Sequence, residues 1–243
     1  MMVSDSSMEN LVEKVALDIV SELANLQNSQ KDPNKYLKSN LLKYSDVVDF
    51  FLEVNVRFSR ALIVQNDEHF KHLSWEKINF TKNKFIIDAN TMFSKKKDFP
   101  AKIEFHFVID PTACPDVYSL IYSKLLDTVA HELHHTIQIG KNREPFNAVA
   151  SSHDDRNSSK KSYKYFLLPE EVESMVVGMN NRSKESNIPL DQIFMDYLTP
   201  FVKSAYITAE ECKEVMEVWV KHALENYPDA IFSHKVDKII KNI

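Results

Sequence analysis

Residues 128–138 read TVAHELHHTIQ, and the spacing inside this stretch governs how the rest of the chain is read. His131 and His135 are four apart, so on a helix they share a face and can aim two imidazoles at one point. Neutral imidazole is the commonest zinc ligand, and a catalytic zinc usually takes three protein donors and leaves one position for water. Glu132 sits one step round the helix, where its carboxylate reaches that water rather than the ion. Zinc lowers the pKa of bound water to about 7, and a carboxylate within reach can take its proton as the water attacks a polarised carbonyl.

The flanks of the motif support a helix from Pro115 to Ile139, with no internal Gly or Pro. Tyr118, Tyr122, Leu125, Val129, Leu133 and Ile137 recur at steps of three or four, an apolar stripe that should face the core. The histidines lie on another face, in line with Val117, Leu120, Ile121 and Thr128, so the helix should be buried on more than one side. Lys124 interrupts that second face, as a cleft would allow. The competing reading is a hydrogen-bonded pair of core histidines on an ordinary helix. His134 falls on the opposite flank from Glu132 and is expected to play no chemical part.

TVAHELHHTIQ resembles the active-site helix of the zincin metallopeptidases. The segment before it agrees: KIEFHFVI (102–109) places Ile103, Phe105, Phe107 and Ile109 on one face and reads as a strand. The resemblance spans about residues 102 to 179. It implies a mixed sheet whose edge strand lies along the substrate cleft, followed by the helix that carries the two histidines. The fold expected is therefore α+β: a zincin-like core with a small sheet and an active-site helix, and helical additions at both ends.

The third ligand decides the subclass. Metzincins extend the motif with a Gly and a third His, but Gln138 and Lys141 stand at those positions, which excludes them. The gluzincin type takes a Glu from a following helix, and LLPEEVESMVVGM (167–179) resembles such a source. Pro169 can open that helix, with Glu170 and Glu171 in its first turn. There one of them would simply complement the helix dipole. The chain has only two glycines, and Gly178 inside this helix should cost about 1 kcal/mol relative to Ala, so a close backbone approach is expected there. Glu171, Ser174 and Gly178 form a narrow small-residue stripe that ends in a carboxylate. E-V-E-S also resembles the gluzincin pattern, in which a small residue follows the ligand. Met175 stands where these families often have an acid. Glu171 is the first choice of third ligand. Glu173, pointing about 160° away round the helix, and positions elsewhere, including Glu144, stay open. Lys141 to Lys164 is a polar stretch that could wall a cleft, and His153, Tyr163 and Tyr165 are its nearest oxyanion donors.

Composition bounds the rest. At 243 residues, 44 % hydrophobic and 27 % charged, the chain suits a single domain over 1–243, with a core at about 45–180 and a C-terminal helical part at about 188–243. A net charge of −5 and no basic run beyond Lys95–Lys97 argue against nucleic acid as a partner. No apolar run reaches membrane-spanning length and no signal peptide is evident, so no membrane association and a cytoplasmic location are expected. Cys114 and Cys212 are expected to be buried free thiols. Val12, Val15, Ile19, Leu23 and Leu26 step as an N-terminal helix, and strands are expected around Val54–Phe58 and Phe85–Ile87. Helices are expected from Leu190 to Tyr206, with Pro200 a kink or break, and after a Thr208–Glu211 capping box, with Met216, Trp219, Val220 and Ala223 inward. His69 and His72 read as surface residues.

The function these features imply is a zinc-dependent metallopeptidase acting on a peptide or protein. Its cofactor would be Zn2+ on His131, His135 and Glu171, with Glu132 as general base. The alternative is a catalytically silent zincin-like protein that binds metal or a partner. A carboxylate-bridged di-iron bundle shares Glu132-x-x-His135, but it needs a second E-x-x-H that the chain lacks. Oligomeric state and cleavage specificity are not legible.

Overall fold

The structure, a computed structural model, describes residues 5–30, 32, 35–39, 42–44, 48–60, 73–92, 100–138 and 162–233. The chain divides into two compact units, Met1–Pro145 and Phe146–Ile243. The described secondary structure is mixed α+β. The first unit holds α1 (Asp5–Ser29), β1 (Leu37–Lys38), β2 (Leu42–Tyr44), β3 (Phe50–Phe58), α2 (Leu73–Asn83), β4 (Phe85–Met92), β5 (Ala101–Ile109) and α3 (Val117–Gln138). The second holds α4 (Pro169–Ser186), α5 (Leu190–Lys203) and α6 (Ala209–Asn226). No helix among the described residues is long and apolar enough to cross a membrane. The positions of Gly140, Lys95–Lys97, His69, His72, Glu144 and His153 lie outside the described residues.

The sheet runs β1-β3-β5-β4, with β2 also on β3. β3 and β5 are parallel, and β4 returns antiparallel on β5. Their register follows from side-chain alternation. Leu52 pairs with Ile103, Val54 with Phe105, Val56 with Phe107 and Phe58 with Ile109, so these apolar positions of both strands fall on one face, while Val108 turns to the other and packs with Phe80 and Ile86. A one-residue slip would turn that whole set outward. α1 and α3 cover this face through Val12, Val15, Ile19 and Leu23 and through Ile121, Leu125, Val129 and Leu133. Each buried side chain of this kind contributes about 1.5–3 kcal/mol, so α3 is fixed to the sheet along its length. The strand that precedes α3 in sequence, β5, is interior to the sheet. β4 forms the border on that side.

The opposite sheet face is polar and yet largely buried. Glu53, Asn55, Arg57 and His106 are all below a tenth exposed. Glu53 accepts from Lys38 at 2.7 Å, Lys102 at 2.9 Å and Asn55 at 3.1 Å. Lys102 also pairs with Glu104. A buried carboxylate without such partners would be strongly unfavourable.

In the second unit, Pro169 opens α4 with Glu170 and Glu171 in its first turn, and Asn187 ends it in the left-handed region at φ 52. Pro200 stays inside α5, which stops at Lys203, and Ala205 follows at φ 56. The capping box on α6 is present in both directions, Thr208 with Glu211. Trp219 is fully buried, donates from Nε1 to the Phe166 carbonyl at 2.9 Å and packs on Phe194. Both cysteines are free, Cys212 buried and Cys114 half-buried.

Glu53 makes the first unit sensitive to acid. Burial pushes its carboxyl up, but the bonds from Lys102, Lys38 and Asn55 outweigh this and hold it at about 2 against an ordinary 4.5. Its contribution is therefore fully present above about pH 4.5 and is lost as the pH falls from there toward 2. Glu53→Gln should cost roughly 2–3 kcal/mol at neutral pH and should flatten the acid side of the stability profile, read by urea denaturation. An acid limb as steep as that of the wild type would place the sensitivity in other groups.

Candidate metal centre

α3 carries the motif as one uninterrupted helix, and its burial is wider than one stripe. Ile121, Leu125, Val129 and Leu133 face the sheet, and Leu126, Ala130, Glu132, His135, Thr136 and Gln138 are buried as well. Leu120, expected on the second buried face, is 57 % exposed, whereas Val117 and Ile121 of the same set are buried. Lys124, the charge on that face, pairs with Asp127 at 2.8 Å.

His131 and His135 converge as their spacing demands. Their Nε2 atoms are 3.1 Å apart and their rings stand nearly perpendicular, at 87°. Two nitrogens each 2.0–2.1 Å from a shared tetrahedral ion would stand about 3.3 Å apart. The pair therefore fits a common metal without moving the helix. The same distance also serves a direct hydrogen bond in which one neutral ring donates to the other.

Two further residues, which the sequence reading did not select, fix the orientation of the motif side chains. Gln138 Oε1 lies 2.9 Å from His135 Nδ1, and both side chains are buried. Thr91 donates its hydroxyl to Glu132 Oε2 at 2.7 Å, with the Glu132 carbonyl at 3.1 Å. The other carboxylate oxygen of Glu132, Oε1, is 4.0 Å from His131 Nε2. Thr91 reaches α3 because it pairs with Ile103 in register and so projects from the face of β4 on which α3 packs. Gln138 carried a readable signal, since it stands three residues after His135 on the same helix face. Thr91 carried none, because its position depends on the register of a border strand.

His134 is half-buried. In the second unit Glu171 is fully buried, Glu170 is 1 % exposed, and Ser174 and Gly178 of the expected stripe are buried too, while Glu173 is half-buried. Tyr163 hydrogen-bonds Glu214, which pushes its phenol up. No family model, curated protein or solved structure matches the chain, so the arrangement of side chains is what a functional reading has to rest on.

Thr91→Val keeps the shape of the side chain and removes the donor to a buried carboxylate, which should cost roughly 1–3 kcal/mol of stability. Thr91→Ser should retain most of it. Equal urea midpoints for wild type and Thr91→Val would mean that the hydroxyl contributes nothing there.

Proposed function

We propose that the chain is a zinc-dependent metallopeptidase of zincin-like, gluzincin type, hydrolysing peptide bonds. The observation that carries this reading is the convergence of two imidazole Nε2 atoms at 3.1 Å, one on buried His135 and one on half-buried His131, with the Glu132 carboxylate beside them. An ordinary core histidine pair has no use for a neighbouring carboxylate held by a threonine from another element. His131 and His135 would hold the ion, and Glu171 is the third donor of the proposal. A carboxylate buried as fully as Glu171 needs a compensating cation or donors, and Glu173, half-buried, answers that description less well. When bound, zinc supplies a water acidic enough to ionise near neutral pH and polarises the substrate carbonyl.

The roles of the protein groups follow from their positions. Glu132 has Oε2 held by Thr91 and Oε1 on the side of the histidines. Oε1 is the atom that accepts a proton from the attacking water and passes it to the leaving amine. The aliphatic packing of α3 keeps bulk water from the helix and strengthens these polar contacts. The substrate is a peptide or protein.

Purified protein should carry about one zinc per chain, and His131→Ala should lose most of it in elemental analysis. Full retention by that variant would make the histidines a plain core pair. Glu132→Gln should keep metal and fold but lose hydrolysis roughly a hundredfold or more on a library peptide that the wild type cleaves. A zinc-loaded wild type that cleaves no peptide would favour the silent metal-binding protein.

A further inference from the structure

We infer that Gln138 is a positioning residue for His135: its amide carbonyl fixes the imidazole as the Nδ1–H tautomer and so presents Nε2 as a ready donor. This rests on the metal-centre reading for its purpose, though its geometry stands apart from it.

A carbonyl oxygen carries no proton, so a 2.9 Å contact between Gln138 Oε1 and His135 Nδ1 requires the hydrogen to sit on Nδ1. A neutral imidazole holds one N–H, which leaves the lone pair on Nε2. That nitrogen is the one 3.1 Å from His131 Nε2, so in the metal-free protein the hydrogen bond between the rings runs from His131 to His135. The two histidines are thus unequal. His135 is already in the ligating form, whereas His131 has to move its proton from Nε2 before it can donate a lone pair. The opposite amide orientation would aim an N–H at Nδ1, put the proton on Nε2 and block the donor, so the direction of this one side chain decides whether the pair is poised.

The placement favours the ligating arrangement physically. Gln138 is one helical turn beyond His135 in the last turn of α3, and both side chains are buried. The amide and the ring are therefore held together by the helix itself and not by a distant loop. Residues that anchor the far nitrogen of a metal-bound histidine typically change metal affinity ten- to a hundredfold. Carboxylates commonly fill this role, and here a neutral amide does so, without adding a second buried charge near Glu132.

Two measurements test this, on the full chain. In the first, nitrogen NMR of 15N-histidine-labelled, metal-free protein at alkaline pH should show His135 with a protonated Nδ1 and an unprotonated Nε2. Gln138→Leu should give a mixture of tautomers. In the second, chelator competition with Zn2+ alone should show affinity falling roughly ten- to a hundredfold in Gln138→Leu. Gln138→Glu, whose carboxylate only accepts, should match or exceed wild type, and this rescue separates positioning from a simple loss of fold. A His135 that carries its proton on Nε2 in wild type overturns the inference, as does a Gln138→Leu variant that binds zinc within about twofold of wild type. A wild type that shows the Nδ1–H tautomer but takes up no zinc would overturn the metal-centre reading and the positioning role with it. The NMR result would then mark the metal-centre reading as the point of failure.

Discussion

One helix has to serve two opposed demands. α3 is the main cover for the apolar face of the sheet, so its removal or tilt would expose Phe105, Phe107 and their neighbours. It also carries the buried Glu132 carboxylate and His135 imidazole, with His131 half-buried beside them. Apolar packing holds a helix along a stripe and tolerates no polar group inside that stripe unless the group is hydrogen-bonded. The helix meets both demands by splitting its circumference. Leucine, valine and isoleucine face the sheet, and the histidines lie on a flank where Gln138 comes from the same helix and Thr91 from the neighbouring strand.

The sheet makes the same kind of division. One face of β3 and β5 is a continuous apolar surface, while the other carries Glu53, Glu104, Lys102 and His106. Glu53 and Glu104 are register partners on adjacent strands, and two like charges directly opposite would repel. Lys102 bonds both carboxylates and converts a repulsive pair into a bridged one. This network ties the interior strands together independently of the apolar core. The strands under α3 are therefore held from both faces, and the motif inherits a rigid support.

Much of this was legible in the sequence for a simple reason. Long elements with a clear period, such as α1, β5, α3 and α6, declare themselves, because burial demands the same residue type at every turn or every second residue. β1 spans only Leu37–Lys38 and is too short to show a period. α2 mixes Trp75, Ile78 and Phe80 with polar residues in no clean stripe. β4 was readable at Phe85–Ile87 but continues to Met92 through Asp88 and Asn90, poor strand formers that pairing with β5 carries along. Glu53, Asn55 and Arg57 look like an ordinary solvated face in sequence. Only the pairing of three strands shows them to be buried and bonded. The motif histidines and Glu132 were visible because a helix fixes local spacing, whereas Thr91 is tied to Glu132 across 41 positions and local spacing says nothing about such a partner.

The site itself follows a single pattern of attachment. A histidine and a carboxylate each have two polar atoms, and a side chain tethered by neither can turn in several directions. His135 is held at Nδ1 by Gln138 and presents Nε2. Glu132 is held at Oε2 by Thr91 and presents Oε1 toward His131. In each case the scaffold takes one end and leaves the other aimed at the same place. Long side chains lose rotamer freedom when they are ordered, at a cost of up to about 2 kcal/mol. Here that cost is met on folding. Groups ordered in advance can act with little further rearrangement. Two side chains outside the motif, an amide at the end of α3 and a hydroxyl on β4, therefore orient His135 and Glu132 as much as helical spacing does.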